Sequence, residues 1–217
     1  WAEKQRAVLL VLQGMDASGK DGTIRRVFTG LNPQGCRVVS FRPPNEVERE
    51  HDFLWRIHRS IPRDGEIGIF NRSHYEDIVT AAVIGVIDDD RARRRARDVR
   101  KFERMLSNEG TAIVKVFLHL SKDEQRRRLR ARLADPEKRW KFRPDDLEAR
   151  ERWDEYMARY DEAITATSTP WAPWYVVPAD HKWVSGLAVA ELLVQTLERL
   201  DPQPPPPAPD LDGLEVE

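Results

Sequence analysis

Ala7-Val-Leu-Leu-Val-Leu-Gln-Gly14-Met-Asp-Ala-Ser-Gly19-Lys20 is the stretch that decides the fold. Ala7 to Leu12 is uninterrupted and apolar, as a central parallel strand buried on both faces requires. It runs directly into Gly14-x-x-x-x-Gly19-Lys20, a spacing whose glycines let backbone N–H groups wrap a phosphate. The helix expected next adds the positive end of its dipole, and Lys20 adds a point charge. Ser18, Asp21 and Gly22 belong to the same cradle. A chance glycine turn is the rival reading, and the strand before and helix after weigh against it. One position departs from the usual pattern: Asp21 stands where a Ser or Thr hydroxyl normally meets Mg²⁺. Asp16, inside the loop, is the natural substitute.

Working outward, further strands are expected at Arg37–Phe41, Glu66–Phe70, Thr111–Leu118 and Trp174–Val177, separated by stretches long enough for helices. This β–α alternation predicts an α/β fold, a mostly parallel five-stranded sheet wrapped on both faces, with ligands at the carboxyl ends of the strands. Ser73-His-Tyr-Glu76 and Ser121-Lys-Asp-Glu124 both have the spacing of a capping box. Residues 91–108 and 147–166 read as amphipathic helices. Residues 181–200 read as a closing helix carrying Leu187, Leu192, Leu193 and Leu197. From Asp201 onward prolines and acids replace periodicity, so 1–200 is expected to be one domain and 201–217 a flexible tail.

The 217 residues carry 36 basic and 37 acidic side chains, a formal charge of -1, so nothing global points to nucleic acid. With the acidic tail set aside, the body is mildly cationic. Of the basic residues 28 are arginine, whose planar fork meets phosphate oxygens with two hydrogen bonds at once, although for the count alone GC-rich codon usage is the preferred account. Cys36 is the only cysteine, which rules out an intramolecular disulfide and a thiolate metal site and makes a reducing cytosol the default. No apolar run is long enough to span a bilayer, so a cytoplasmic protein is expected. The chain starts at Trp1 without a methionine, and residues upstream are expected.

The third strand ends in Asn71-Arg72-Ser73, at the same sheet edge as the loop. Many enzymes with this loop place there an Asp that holds the metal; an amide coordinates Mg²⁺ weakly, so Asn71 is read as orienting water or phosphate. Arg72 is read as neutralising the charge of a transferred phosphate. Ser73 and Glu76 are read as the capping box. His74 and Asp77 are left facing either site or solvent.

Three segments together, Gly14-Met-Asp-Ala-Ser-Gly-Lys-Asp-Gly-Thr-Ile24, Phe70-Asn-Arg-Ser-His-Tyr-Glu-Asp77 and Lys138-Arg-Trp-Lys-Phe-Arg-Pro-Asp-Asp146, resemble the second family of polyphosphate kinases. The resemblance spans roughly residues 5–200. It implies a three-layer α/β/α P-loop kinase fold with a helical lid, placed at roughly 121–160. It also implies reversible, Mg²⁺-assisted (or Mn²⁺-assisted) transfer between inorganic polyphosphate and a nucleotide, and a homo-oligomer, dimer or tetramer. By motif, Asp16 becomes the metal ligand, Lys20 the loop lysine and Arg72 a phosphate-binding arginine. Asn71, where some members have aspartate, resembles the branch using both mono- and diphosphates, taking AMP/ADP or GMP/GDP one phosphate higher.

A polyphosphate donor offers only repeating charge, so cations are expected along one path. One of Arg25 and Arg26 is expected to point along it, since helical geometry separates their directions. Lys138, Arg139 and Lys141, crowded with Arg143 and Trp140, read as the lid that closes over the phosphate. Arg126–Arg132 divide evenly between lid and solvated surface, and Arg91–Arg104 read as a solvated helix face, with an outer polyphosphate contact as the minority reading. Arg42, Asn45 and Arg56 occupy the place of the acceptor phosphate in related nucleotide kinases, with Asp77 orienting the acceptor; a surface Arg56 beside a core Trp55 is the rival reading. An ATP-dependent nucleotide or nucleoside kinase on this scaffold and a non-catalytic polyanion or RNA binder are the competing functions.

Overall fold

The computed structural model describes residues 1–207. Five strands, β1 (Ala7–Gln13), β2 (Cys36–Ser40), β3 (Ile67–Asn71), β4 (Thr111–His119) and β5 (Trp174–Pro178), form one sheet in the order β2-β3-β1-β4-β5. Every pairing is parallel. Nine helices lie among the described residues: α1 (Lys20–Phe28), α2 (Glu46–Arg49), α3 (Trp55–His58), α4 (Val79–Val83), α5 (Asp89–Asn108), α6 (Lys122–Ala134), α7 (Asp145–Glu151), α8 (Trp153–Thr167) and α9 (Lys182–Leu200).

The apolar run of β1 sorts by strand alternation into two cores. Leu9 and Val11 join Phe70, Ile113 and Phe117 beneath α4, α5 and α8. Val8, Leu10 and Leu12 join Ile69, Val114, Val116 and Leu118 against α1 and α9. Both faces of the central strand are therefore dry, which is why its sequence does not alternate. In α9 Leu193 is buried and Leu192 and Leu197 pack against the same core, as expected, whereas Leu187 is exposed and Val189 takes its place inside. Residues 201–207 are exposed and carry no helix or strand, and the rest of the expected tail lies outside the described residues.

Two helical expectations need correction. Residues 147–166 are not one helix: α7 ends at Glu151, Arg152 leaves the helical region, and α8 begins at Trp153. Trp153, Tyr156, Tyr160 and Ala163 of α8 belong to the core, so the expected lid ends well before residue 160. Ser73 and Glu76 form no capping box. α4 starts only at Val79, Ser73 Oγ accepts from the Tyr75 amide at 3.2 Å, and Glu76 is taken up by Arg72 and Thr80. Ser121 does cap α6, accepting from the Glu124 amide at 3.2 Å, but the Glu124 carboxylate turns to Arg127 and Arg128 instead of closing the box.

One face of the sheet contains an ionic group. Lys115 on β4 is 0% exposed and donates to Glu103 Oε2 at 2.6 Å, Tyr75 Oη at 2.9 Å and the Thr167 carbonyl at 2.9 Å. Tyr75 Oη in turn donates to Glu103 Oε1 at 2.8 Å. Burial pushes the Lys115 ammonium below its ordinary value and Glu103 opposes that shift; burial, then Glu103, pushes the Tyr75 phenol up. Deleting one member leaves a buried charge without its partner, which costs about 3–5 kcal/mol, whereas replacing both by apolar groups is commonly near neutral. Glu103→Ala is therefore expected to lower unfolding free energy by about that amount, and Lys115→Met combined with Glu103→Leu to restore most of it. Urea denaturation followed by circular dichroism measures both; an unaffected Glu103→Ala protein contradicts the assignment.

Candidate active site

The sheet register brings the loop and the second motif together. Leu12 and Ser40 both pair with Asn71, so β1, β2 and β3 end side by side, and the segments that follow them open at one edge. There they line a cleft of about 1960 Å³.

The loop is already wrapped. Gly14 (φ +145°) and Gly19 (φ +100°) occupy backbone conformations that side chains rarely adopt, and a Cβ on Gly14 would lie 2.7 Å from the Leu118 carbonyl. Lys20, 8% exposed, donates to the carbonyls of Gly14 at 2.6 Å and Met15 at 3.2 Å and to Ser18 Oγ at 3.4 Å. Burial, with the Arg72 guanidinium adding to it, lowers its pKa to about 8. The loop's ammonium is thus desolvated and held by carbonyl dipoles.

Arg72 stands at φ +63°, which turns its side chain across the loop mouth. Its guanidinium bonds Asp16 on one side and Glu76 on the other, the latter at 3.2 Å, while 35% of the side chain stays exposed. The Glu76 carboxylate, opposed by burial and reinforced by Asp16, raises its pKa further above the ordinary arginine value. Glu76 is the member of this group that sequence reasoning assigned elsewhere, because the local spacing of a cap and the reach of a salt bridge look alike in sequence.

The two departures from the usual loop pattern touch each other. Asn71 Nδ2 donates to Asp21 Oδ1 at 2.6 Å. With a carboxylate already at position 21, an amide at position 71 avoids opposing two negative charges. Asp16, one oxygen of which meets Arg72, lines the cleft, as does Asp21, and it raises the Asp146 carboxyl, already pushed up by burial. A hard oxygen donor beside an anion cradle suits Mg²⁺, which is held by one or two carboxylates together with substrate phosphates.

Arg56 is not the surface arginine of the rival reading. It is 8% exposed, whereas Trp55 is half-buried, and it donates to Asp77 Oδ2 at 2.9 Å and the Arg42 carbonyl at 2.7 Å. Burial raises the Asp77 carboxyl, while Arg56 holds it down. Arg56, Asp77 and Arg42 line the cleft, but Asn45 does not: it caps α2 in a capping box with Glu48. His74 faces neither site nor solvent; it is buried, with Nε2 3.4 Å from Glu103 Oε1.

The basic runs sort by position. Arg25 and Arg26 both reach the cleft, contrary to the expectation that only one would, as do Arg127, Arg128 and Arg132, while Arg126 and Arg130 point to solvent. Lys138, Trp140, Lys141 and Arg143 line the cleft from the turn around Arg139–Lys141, but Arg139 itself donates to the Leu133 carbonyl at 3.0 Å and lies outside it. Arg91, Arg94 and Arg95 of α5, expected on a solvated face, also line it, and Arg95 donates to the Asp77 carbonyl at 2.6 Å.

Residues 1–205 match the family model for polyphosphate kinase 2. The chain is 54% identical over 217 residues to an AMP/ADP-polyphosphate phosphotransferase of Meiothermus ruber, covering all of this chain (100%) and 81% of that protein. It is 47% identical over 212 residues to an ADP-polyphosphate phosphotransferase of Rhodopseudomonas palustris, covering 92% of this chain and 73% of that one. The crystal structure of polyphosphate kinase 2 from Arthrobacter aurescens TC1 superposes with a TM-score of 0.93 at 44% identity, covering 95% of this chain and 73% of that one. A phosphate-binding loop at the end of a doubly buried strand, an arginine braced across its mouth and a match over almost the whole chain agree, and the chain belongs to the polyphosphate kinase 2 family.

Proposed function

We propose that this protein transfers a phosphoryl group between inorganic polyphosphate and a nucleoside mono- or diphosphate, AMP/ADP or GMP/GDP, in either direction. The observation that carries the reading is the distribution of cations in the cleft. Beyond the loop, Arg25, Arg26, Arg127 and Lys182 line its wall, and burial followed by repulsion from Arg128, Arg127 and Arg26 lowers the Lys182 ammonium. Arg127 is ion-paired with Glu124, and the crowding of Arg25, Arg26 and Lys182 beside that pair suits a donor made of repeating phosphates. On the other side, Arg42, Arg56, Asp77 and Arg95 form the wall assigned to the acceptor.

The attacking atom is a phosphate oxygen of the acceptor, already anionic, so no general base is required; the P–O bond to the donor chain breaks as the new one forms, and the shortened polyphosphate leaves as the anion. Lys20 and the loop N–H groups hold the transferred phosphate. Arg72, braced by Asp16 and Glu76, meets the charge that develops on its equatorial oxygens. Asn71, tied to Asp21, orients water or phosphate beside it. A Mg²⁺ or Mn²⁺ ion held by Asp16 and the phosphates would supply further charge neutralisation there. The turn carrying Lys138, Trp140 and Lys141 closes over the phosphate and excludes water. The same reading includes a cytosolic location and a dimer or tetramer, the oligomer supported by exposed Trp183, Leu187 and Val194 along α9.

Purified protein with Mg²⁺, long-chain polyphosphate and AMP or ADP, without any nucleoside triphosphate, is expected to yield ADP or ATP by chromatography, and Lys20→Ala to yield none. Transfer that appears only when ATP is the donor assigns the protein to the ATP-dependent kinases instead. Arg72→Ala is expected to lower kcat by about 10³-fold, the scale of an arginine that meets transition-state charge. A kcat within tenfold of wild type in a steady-state assay removes Arg72 from that role. Because the Lys20 pKa is lowered to about 8, the ammonium of the free protein is lost as pH rises through that value. kcat/KM for polyphosphate is therefore expected to fall by one power of ten per pH unit above about 8, while kcat, read with the anion bound and the ammonium protected, falls only at higher pH. A kcat/KM profile flat to pH ~10 contradicts this.

A further inference from the structure

Arg128 lies in the basic run of α6 and lines the cleft beside the loop, a position in which a cation invites assignment as a phosphate ligand. Its hydrogen bonds assign it differently. A guanidinium carries five N–H donors in a fixed planar fork. In Arg128 each is engaged within the protein: Nε donates to Glu124 Oε1 at 2.7 Å, Nη1 to the carbonyls of Ala17 at 3.0 Å and Ser18 at 3.2 Å, and Nη2 to those of Ala179 at 2.6 Å and Asp180 at 2.9 Å. The side chain is 9% exposed, whereas Arg72 across the loop keeps 35% exposed and has only one bond from each terminal nitrogen. One residue thus ties α6 to the phosphate-binding loop and to the turn between β5 and α9.

The loop peptides that it holds are those whose orientation matters. A peptide unit is planar, so a carbonyl fixed on one side sends the following N–H to the other. Holding the Ala17 carbonyl sends the Ser18 N–H inward, where it closes on the Met15 carbonyl at 3.0 Å. Holding the Ser18 carbonyl sends the Gly19 N–H away from Arg128. Ala17 itself sits at φ +64°, a conformation that needs support from its surroundings in a residue with a Cβ. A second tie from the same helix, Gln125 Nε2 to the Asp16 carbonyl at 3.0 Å, holds the preceding peptide.

We propose that Arg128 is a positioning residue for phosphoryl transfer, its saturated fork holding the Ala17–Ser18–Gly19 peptides so that the loop is shaped for the donor's terminal phosphate before that phosphate arrives. The proposal rests on the reading of the cleft as a phosphoryl-transfer site. Lysine keeps the charge but has three donors at one point and cannot span three elements, so the fork, and not the charge, is the required property.

The test compares Arg128→Lys and Arg128→Gln with wild type. Isothermal titration with inorganic tripolyphosphate reads loop affinity, steady-state kinetics read KM for polyphosphate and for ADP separately, and thermal unfolding reads the fold. Both variants are expected to bind tripolyphosphate about tenfold more weakly or worse and to lose kcat, with KM for ADP unchanged. Retention of wild-type tripolyphosphate affinity by Arg128→Lys alone makes Arg128 an ordinary charge ligand and overturns the proposal. Lowered melting temperatures with donor affinity and kcat unchanged overturn it as well, by making the role purely structural. If a variant fails to fold, Glu124→Gln, which weakens the hold on Arg128 Nε while releasing the Arg127 cation from its ion pair, is still expected to show a loss on the donor side; unchanged or tighter affinity there overturns the proposal. Wild-type protein that binds tripolyphosphate but phosphorylates neither AMP nor ADP overturns the functional reading and not the Arg128 binding result; wild-type protein that does not bind tripolyphosphate overturns both.

Discussion

The parallel pairing of β1 with β3, in the register that sets Leu12 opposite Asn71, is the constraint on which the rest of the molecule depends. It places the first residues of the loop beside Asn71 and Arg72, although the two segments are far apart in sequence. Asp21 can then receive the Asn71 amide, and Arg72 can reach Asp16. A slip of one residue would turn the alternating side chains of β1 to opposite faces and separate both pairs. The two cores that flank the strand make that slip prohibitive, because each residue from Val8 to Leu12 already has its own apolar partners.

Arginine in this protein does two different jobs that composition alone cannot separate. Some guanidinium groups are consumed by the fold, as Arg128 is across three elements. Others remain open to the cleft and balance no neighbouring acid, which leaves them for phosphate. The distinction is made by the number of donors already used and by burial, both of which depend on residues distant in sequence. Side chains that look interchangeable in a basic run therefore differ in what their loss would do.

Legibility in the sequence follows the same line. The strand–loop–helix unit at residues 7–28 and the remaining four strands could be read because apolar runs and glycine spacing are local signals, and each strand lies within a residue of its expected bounds. That Asp16, Lys20 and Arg72 share one cleft could be read because the loop and the end of the third strand were both expected at the same sheet edge. The environments of Arg56, His74 and Glu76 could not. Each depends on a tertiary partner, Asp77, Glu103 and Arg72 respectively, and a competing local explanation was available for each. Asn45 shows the converse: an exposed polar residue near the expected acceptor site proved to be a helix cap, a role its spacing to Glu48 already carried. The break between α7 and α8 was hidden because the helical periodicity continues across Arg152.

The carbonyl cage around Lys20 has a consequence for which anions the loop accepts. Because the ammonium is already satisfied by two backbone oxygens and a hydroxyl, any arriving anion must compete with them for it. A small monovalent ion such as chloride brings one charge and replaces few of these bonds, so its gain barely exceeds what it displaces. A phosphate at the end of a polymer brings several oxygens at once and engages loop N–H groups and Arg72 in the same event. On the proposed reading of the loop as a phosphate site, the cage is a filter: it weakens attraction for every anion by a similar amount, and only multidentate, multiply charged ligands recover the difference.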